Sequence, residues 1–194
     1  MNRFRASQLV WIPIVISVLV GCATEKKPYD LPYPNEKAER VGFQSGPEPY
    51  GLGGISWGTD LSVLRGMGHY RTDKSHGGIE FYIRKGEALR IGGETFEKVQ
   101  YGFWNGKFYV GMIRVSGQAR WSALKKAIFT HYGEGAKPFR NREEFLWTGQ
   151  DVTMALRWDE ENETGLFYVR SESLRHQMIP EKKKEDFPKT FQIK

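Results

Sequence analysis

Apolar and polar residues alternate in residues 96–115, on both sides of the dipeptide Asn105-Gly106. Asn-Gly is favoured at the centre of a type I′ turn because both residues need a positive φ. With this turn the strands pair Trp104 with Lys107, Phe103 with Phe108, Tyr101 with Val110, Val99 with Met112 and Glu97 with Arg114. The register gathers apolar side chains on one face, so the segment predicts a β-hairpin.

Alternation also marks other strands. Residues 143–158 predict a second hairpin that turns at Gly149-Gln150, with Trp147 opposite Val152 and Phe145 opposite Met154. Residues 164–170 alternate as a third strand after an acidic turn, and residues 80–83 predict a shorter one.

Two segments carry helical signals. In residues 118–132, Trp121, Leu124 and Ile128 form one helical stripe, and Gly133 stands where a helix commonly ends. A shorter helix is expected over residues 60–64, with Thr59 as its N-cap.

The predicted elements run helix, three strands, helix, three strands. This order suggests two tandem αβββ units over residues 58–115 and 119–169. We therefore predict an α+β fold, in which two helices cover one face of an antiparallel sheet. The domain is expected to span residues 51–174, followed by a charged, proline-interrupted tail over residues 175–194.

The amino-terminal pattern is different, since Arg3 and Arg5 precede an apolar run over residues 9–20. A membrane-spanning helix needs about 20 consecutive apolar residues, whereas this run is shorter and contains Pro13. A basic amino terminus, a short apolar run and a small residue before the cleavage site are typical of a secretory signal peptide, here residues 1–21. Residues 22–50 are rich in proline and charge, which predicts a flexible tether.

The four residues Leu19-Val20-Gly21-Cys22 resemble the lipobox of bacterial lipoproteins. The resemblance implies cleavage between Gly21 and Cys22, a diacylglycerol thioether on Cys22 and a membrane anchor through that lipid. An ordinary signal peptide, in which Cys22 is incidental, is the alternative. Ala23, in place of an aspartate, implies sorting to the outer membrane, facing the periplasm.

The net charge and the cysteine count exclude some classes of function. The net charge is +6, and loss of Arg3 and Arg5 with the signal lowers it to about +4. This mild excess is not the clustered basic surface of a nucleic-acid-binding protein. Cys22 is the only cysteine, so a lipidated chain has no thiol for a disulfide or for catalysis.

Catalytic and metal-binding patterns are weak, and we expect no cofactor and no metal. His69, Asp73 and His76 have suggestive spacing but lie in a polar stretch that predicts a loop. A cell-wall glycan hydrolase using Glu143, Glu144 or Asp159 is an alternative, which requires two carboxyls about 5–10 Å apart in a cleft.

The predicted hairpin offers a candidate contact surface, because Trp104, Lys107 and Tyr109 fall on the face opposite Phe103. Aromatic residues beside a cation commonly anchor binding partners. The alternative is an ordinary cross-strand packing pair.

The motif Gly58-Thr59-Asp60-Leu61-Ser62-x-Leu64, together with Tyr132-Gly133 and the later Trp147, resembles small envelope domains of the SmpA/BamE-like and β-lactamase-inhibitor-like type. Two features depart from the first of these families, namely single helices that alternate with strand triplets and the long segment 70–94. The resemblance implies a non-catalytic lipoprotein that binds an envelope protein or a cell-wall component. A small-ligand carrier is a further alternative and needs an apolar pocket of about 300 Å³ or more.

Overall fold

The computed structural model describes Phe43, residues 47–74 and residues 78–178. The elements in chain order are β1 (Gly51–Leu52), β2 (Ile55–Ser56), a 3-10 turn (Leu61–Val63), β3 (Met67–Asp73), β4 (Ile79–Arg84), β5 (Leu89–Ile91), β6 (Glu94–Phe96), β7 (Gln100–Trp104), β8 (Lys107–Ser116), α1 (Gln118–Tyr132), β9 (Glu144–Thr148), β10 (Val152–Asp159), β11 (Thr164–Ser171) and α2 (Glu172–Met178). The predicted strands over 80–83 and 164–170 and the helix over 118–132 are confirmed.

Seven strands form one antiparallel sheet in the order β3-β4-β7-β8-β11-β10-β9. The meanders β4-β7-β8 and β9-β10-β11 meet at the centre, where Ile113 of β8 lies opposite Phe167 of β11. The predicted α+β class with an antiparallel sheet is confirmed. The first half is longer than an αβββ unit, because it adds the edge strand β3 and inserts the separate hairpin β5-β6 between β4 and β7.

One face of the sheet, the inner face, packs against α1. Trp121, Leu124 and Ile128 of α1 are fully buried, as the helical stripe predicts, and α1 contacts β8 and β11. The inner-face side chains that join this core are Phe103, Phe108, Ile113, Val115, Phe145, Trp147, Met154, Leu156, Phe167 and Val169. Burial of large apolar side chains is the main stabilising contribution to such a fold.

The second predicted helix is not present as expected. Residues 61–63 form a single 3-10 turn, and its N-cap is Asp60, whose carboxylate accepts from the Ser62 amide at 3.0 Å, rather than Thr59. Two small hairpins extend the cover of the inner face instead of a second helix. Leu52 of β1 packs over Gly111, and Gly92 after β5 lies against the Ala127 backbone of α1.

The central hairpin keeps its predicted turn but not its whole register. Trp104 pairs with Lys107 and Phe103 with Phe108, as predicted. Beyond them a bulge pairs Gly102 with Val110, Tyr101 with Gly111 and Gln100 with Met112, so the predicted partners of Tyr101, Val99 and Glu97 are wrong. The extra residue turns Val110 and Met112 away from α1. Gly111 then leaves room for Leu52, since a Cβ at this position would lie 2.3 Å from Leu52 Cδ2.

The second hairpin has the predicted faces in a different register. Trp147 pairs with Met154 and Phe145 with Leu156, two positions beyond the predicted partners. A shift by two residues keeps every side chain on its face. The loop is longer than predicted, and the Gly149 amide donates to the Val152 carbonyl at 2.9 Å.

Both domain boundaries differ from the predicted ones. The end of the predicted tether belongs to the fold, because the Trp57 indole donates to the Pro49 carbonyl at 2.8 Å and Phe43 contacts the Tyr132 ring. Residues 175–178 of the predicted tail lie in α2. Residues 1–42 and 179–194 lie outside the described residues.

Candidate functional site

The face of the sheet turned away from α1, here called the outer face, is built from three rows of paired residues. The rows are Phe81, Gly102, Val110, Arg170, Thr153 and Thr148; Ile83, Gln100, Met112, Tyr168, Ala155 and Leu146; and Arg114, Leu166, Arg157 and Glu144. Apolar side chains therefore alternate with hydrogen-bonding and charged ones across the middle of the sheet.

Three polar side chains of the outer face each have one buried atom that finds no hydrogen-bond partner among the described residues. They are Gln100, Glu144 and Tyr168, which are 7%, 1% and 2% exposed. The unpaired atoms are Gln100 Oε1, Glu144 Oε1 and the Tyr168 hydroxyl oxygen. Since most buried polar atoms in proteins are hydrogen-bonded, three unpaired ones on a single face form an unusual concentration.

Burial also changes the ionisation of two of these groups. Burial raises the pKa of Glu144 above its usual range, although Arg157 and Arg142 act in the opposite direction. Burial raises the pKa of Tyr168 to about 12, so its hydroxyl keeps its proton at neutral pH and can both donate and accept. The buried middle of the face thus contains two acceptor atoms and one hydroxyl that the described residues leave without a partner.

One buried polar pair of this face is satisfied. Arg170 Nε donates to Glu172 Oε1 at 2.9 Å, and Arg175 reaches the other carboxylate oxygen at 3.1 Å. Burial opposes ionisation of Glu172, but Arg170, Arg175 and the Thr153 hydroxyl outweigh it and hold the pKa of Glu172 below its usual range. This contact connects the start of α2 to the outer face.

The predicted contact residues lie at the hairpin end of the same face. Lys107 pairs with Trp104 and donates to Asp60 Oδ2 at 2.9 Å. Hydrogen bonds from the Ser62 amide and from Lys107 lower the pKa of Asp60. Trp104 is half-buried, whereas Tyr109 is only 4% exposed. Tyr109 therefore belongs to the buried part of the outer face, unlike the half-buried Trp104 and the exposed Lys107.

The three candidate catalytic acids do not share a cleft. Glu143 faces α1, where it accepts from the Trp121 indole at 2.9 Å and from Lys125. Glu144, the next residue, faces the opposite side of the sheet. Asp159 is the last residue of β10 and accepts from the Asn162 side chain at 2.8 Å, which lowers the pKa of Asp159.

The histidines are dispersed. His69 contacts Thr72 at 3.1 Å and packs edge-on to the Tyr82 ring, while His131 packs against Tyr132 at the end of α1. His76 lies outside the described residues. Among residues 47–74 and 78–178, no three metal-ligating side chains cluster together.

The predicted lipidation and cleavage residues, Cys22 and Gly21, lie outside the described residues. Within the described part of the chain, no helix has the length and apolar character needed to cross a membrane.

Sequence reasoning missed Gln100, Tyr168 and Arg170 as members of one surface. A signal was present in β11, where Tyr168 and Arg170 alternate with the core residues Phe167 and Val169. Comparison with protein-family models, with curated proteins and with solved structures found no match to this chain.

Proposed function

We propose that this chain is a lipid-anchored lipoprotein of the bacterial envelope that binds another envelope component without catalysing a reaction. The partner is an envelope protein or a cell-wall component, and the outer face is the contact surface. The observation that carries this proposal is the set of three buried, unpaired polar atoms on Gln100, Glu144 and Tyr168.

The energetic reason is the cost of an unpaired group. A buried polar atom without a partner costs about 1–3 kcal/mol, whereas a hydrogen bond to it recovers that cost. Gln100 and Glu144 are 7% and 1% exposed, so a partner that supplies donors to them gains this free energy only when its binding opens the cover above these two side chains. Ile83 of the same face is partly exposed and adds hydrophobic contact area.

The hairpin end supplies the other features of a binding surface. Trp104 stands at the margin of the outer face, and partly exposed tryptophans are common anchors in interfaces. Arg114 and Arg157 belong to the same face and favour a partner with anionic groups.

The anchor is proposed from the sequence alone, on the lipobox Leu19-Val20-Gly21-Cys22. A chain with two or more acyl groups stays at a membrane without help from the fold. Metabolic labelling with a fatty-acid analogue tests this, and Cys22→Ser is expected to abolish the label. Persistence of the label in that variant contradicts the anchor and leaves the binding proposal untouched.

The finer repeat architecture also remains a proposal. The meanders β4-β7-β8 and β9-β10-β11 each end at the sheet centre, and a helix precedes the second. This arrangement supports two tandem αβββ units, with the 3-10 turn Leu61–Val63 in place of the first helix and with β3 and the hairpin β5-β6 as additions to the first unit.

Photo-crosslinking in intact cells tests the binding proposal. A photoreactive residue at Trp104 is expected to give a discrete crosslinked species, while the same residue at Lys126, exposed on α1, is the matched control. Equal yields at the two positions, or no species above the control without light, contradict the outer face as the contact surface.

A small-ligand carrier is the second candidate, because a cavity of about 520 Å³ lies between residues 47–55 and the last turn of α1. Its lining includes Leu52, Ile55 and Tyr132. A neutral fluorescent apolar probe is expected to bind it with saturation at one site per chain, and Tyr132→Ala to weaken that binding. Binding that does not saturate argues against a carrier.

A further inference from the structure

The loop between β9 and β10 holds a carboxylate from a distant part of the chain. Glu48 Oε1 accepts from the Gln150 amide at 2.6 Å, and Glu48 Oε2 accepts from the Asp151 and Val152 amides at 2.8 and 3.0 Å. The two segments are about a hundred residues apart, so this contact arises from the tertiary fold.

The loop is shaped for an anion. Successive backbone N–H groups that converge on one point form a nest, which attracts negative charge. Gly149 leaves room for the carboxylate in the nest, because a Cβ at this position would lie 2.2 Å from the Glu48 carboxyl carbon. The occupant is positioned by Pro47 and Pro49, which restrict the backbone on both sides of Glu48.

We propose that the amides of Gln150, Asp151 and Val152 form a carboxylate-binding site, which Glu48 fills in cis as a releasable latch. The ligand class is a carboxylate. This inference is independent of the outer face, since it rests on hydrogen bonds at the tip of another hairpin.

Release of the latch has a structural consequence. The segment Pro47–Tyr50 forms part of the wall of the 520 Å³ cavity beside His131 and Tyr132. Glu48 connects this wall to the β9-β10 loop, and Pro49 connects it to Trp57. Withdrawal of Glu48 removes the first connection and opens that side of the cavity, while the second connection remains.

Titration of the full-length chain with formate, followed through the backbone amide resonances of residues 150–152, tests the site. In Glu48→Ala, these three resonances are expected to shift with saturation, with sodium chloride at equal ionic strength as the salt control. The parent chain is expected to need a higher formate concentration than Glu48→Ala, because Glu48 competes for the same amides, and Glu160→Ala, which removes an exposed carboxylate elsewhere, is expected to behave as the parent does.

Two further variants test the same site if Glu48→Ala does not fold. Glu48→Gln preserves the length of the side chain and replaces Glu48→Ala in the titration if the alanine variant does not fold. Gly149→Ala is expected to displace the Glu48 carboxylate and to increase hydrogen exchange in residues 47–57. The absence of a saturating shift in both Glu48 variants, or an equal shift in Glu160→Ala, overturns the proposal.

Discussion

The two faces of the central sheet satisfy their polar groups in different ways. On the inner face the Trp121 indole donates to Glu143 at 2.9 Å and the Tyr101 hydroxyl donates to Glu87 Oε1 at 2.6 Å, while Glu87 Oε2 alone is buried without a partner in this part of the described structure. On the outer face, Gln100, Glu144 and Tyr168 keep unpaired atoms.

The two faces of the sheet therefore contribute in different ways, one to stability and the other to the proposed binding. The inner face is a closed core whose large side chains stabilise the fold through packing. The outer face has hydrogen-bonding capacity that the described residues do not use. We therefore expect substitutions on the inner face to lower stability and substitutions of the unpaired outer-face groups to lower binding.

The largest expected effect is on the inner face. Trp121 is fully buried and stacks on Trp158, with ring centroids 5.6 Å apart. Trp121→Ala is expected to lower the free energy of unfolding by about 3–5 kcal/mol, because it leaves a large cavity. Urea unfolding measures this change, with Trp104→Ala at the half-buried hairpin end as the control. An equal decrease in the free energy of unfolding in the two variants would contradict the expected difference between the inner face and the hairpin end.

The next effect concerns the satisfied pair of the outer face. Glu172→Ala leaves the Arg170 guanidinium, 4% exposed, without its buried carboxylate. We expect a loss of about 3 kcal/mol, since breaking a buried ion pair leaves an uncompensated charge. Because the folded pKa of Glu172 is lowered, the parent loses this stabilisation as the pH falls through that pKa. A loss that persists unchanged in acid argues against the ion pair.

A smaller effect, opposite in sign, is expected at Glu144. Its pKa is raised above the usual value of 4.5, so the folded state binds more protons and ionisation lowers stability as the pH rises. Glu144→Gln is expected to be more stable than the parent by about 1 kcal/mol at about pH 7, the lower end of the cost of an unpaired buried polar group. The advantage is expected to vanish below the unfolded pKa, which unfolding curves at about pH 4 measure. A constant difference over this range contradicts the buried, ionisable carboxyl.

An effect of similar size is expected at Tyr168. Its buried hydroxyl has no partner among the described residues, so Tyr168→Phe removes the cost of an unpaired group and is expected to raise the free energy of unfolding by about 1 kcal/mol. Tyr101→Phe is the matched control, because it removes a buried hydroxyl that donates to Glu87, and it is expected to cost about 1 kcal/mol. Equal costs for the two variants contradict the difference between the faces.

The parts of the fold that were predictable have strong local signals. The stripe of Trp121, Leu124 and Ile128 defines α1, and the dipeptide Asn105-Gly106 fixes the central turn. The bulge at Tyr109 was not predictable, because Phe108, Tyr109 and Val110 are all buried and no alternation marks the change of face. Strand β3 was missed since it is an edge strand whose residues are mostly exposed.

The candidate site was less predictable than the fold. Trp104 and Lys107 were located by the hairpin pattern, but the outer face combines residues from β4, β7, β8, β9, β10 and β11, and their pairing order depends on the tertiary structure. The contact between Glu48 and the β9-β10 loop has the same origin. Neither segment carries a local signal for its partner.

The most direct test of the difference between the faces is the crosslinking yield from a photoreactive residue at Trp104 in two tyrosine variants. Tyr168→Phe removes an unpaired hydroxyl on the outer face, whereas Tyr132→Phe removes the hydroxyl of a tyrosine in the inner-face core, whose ring packs on Phe167. With both variants folded, we predict that the yield falls in Tyr168→Phe and stays at the parental level in Tyr132→Phe. A parental yield in Tyr168→Phe, or an equal fall in both variants, would contradict the outer face as the binding surface.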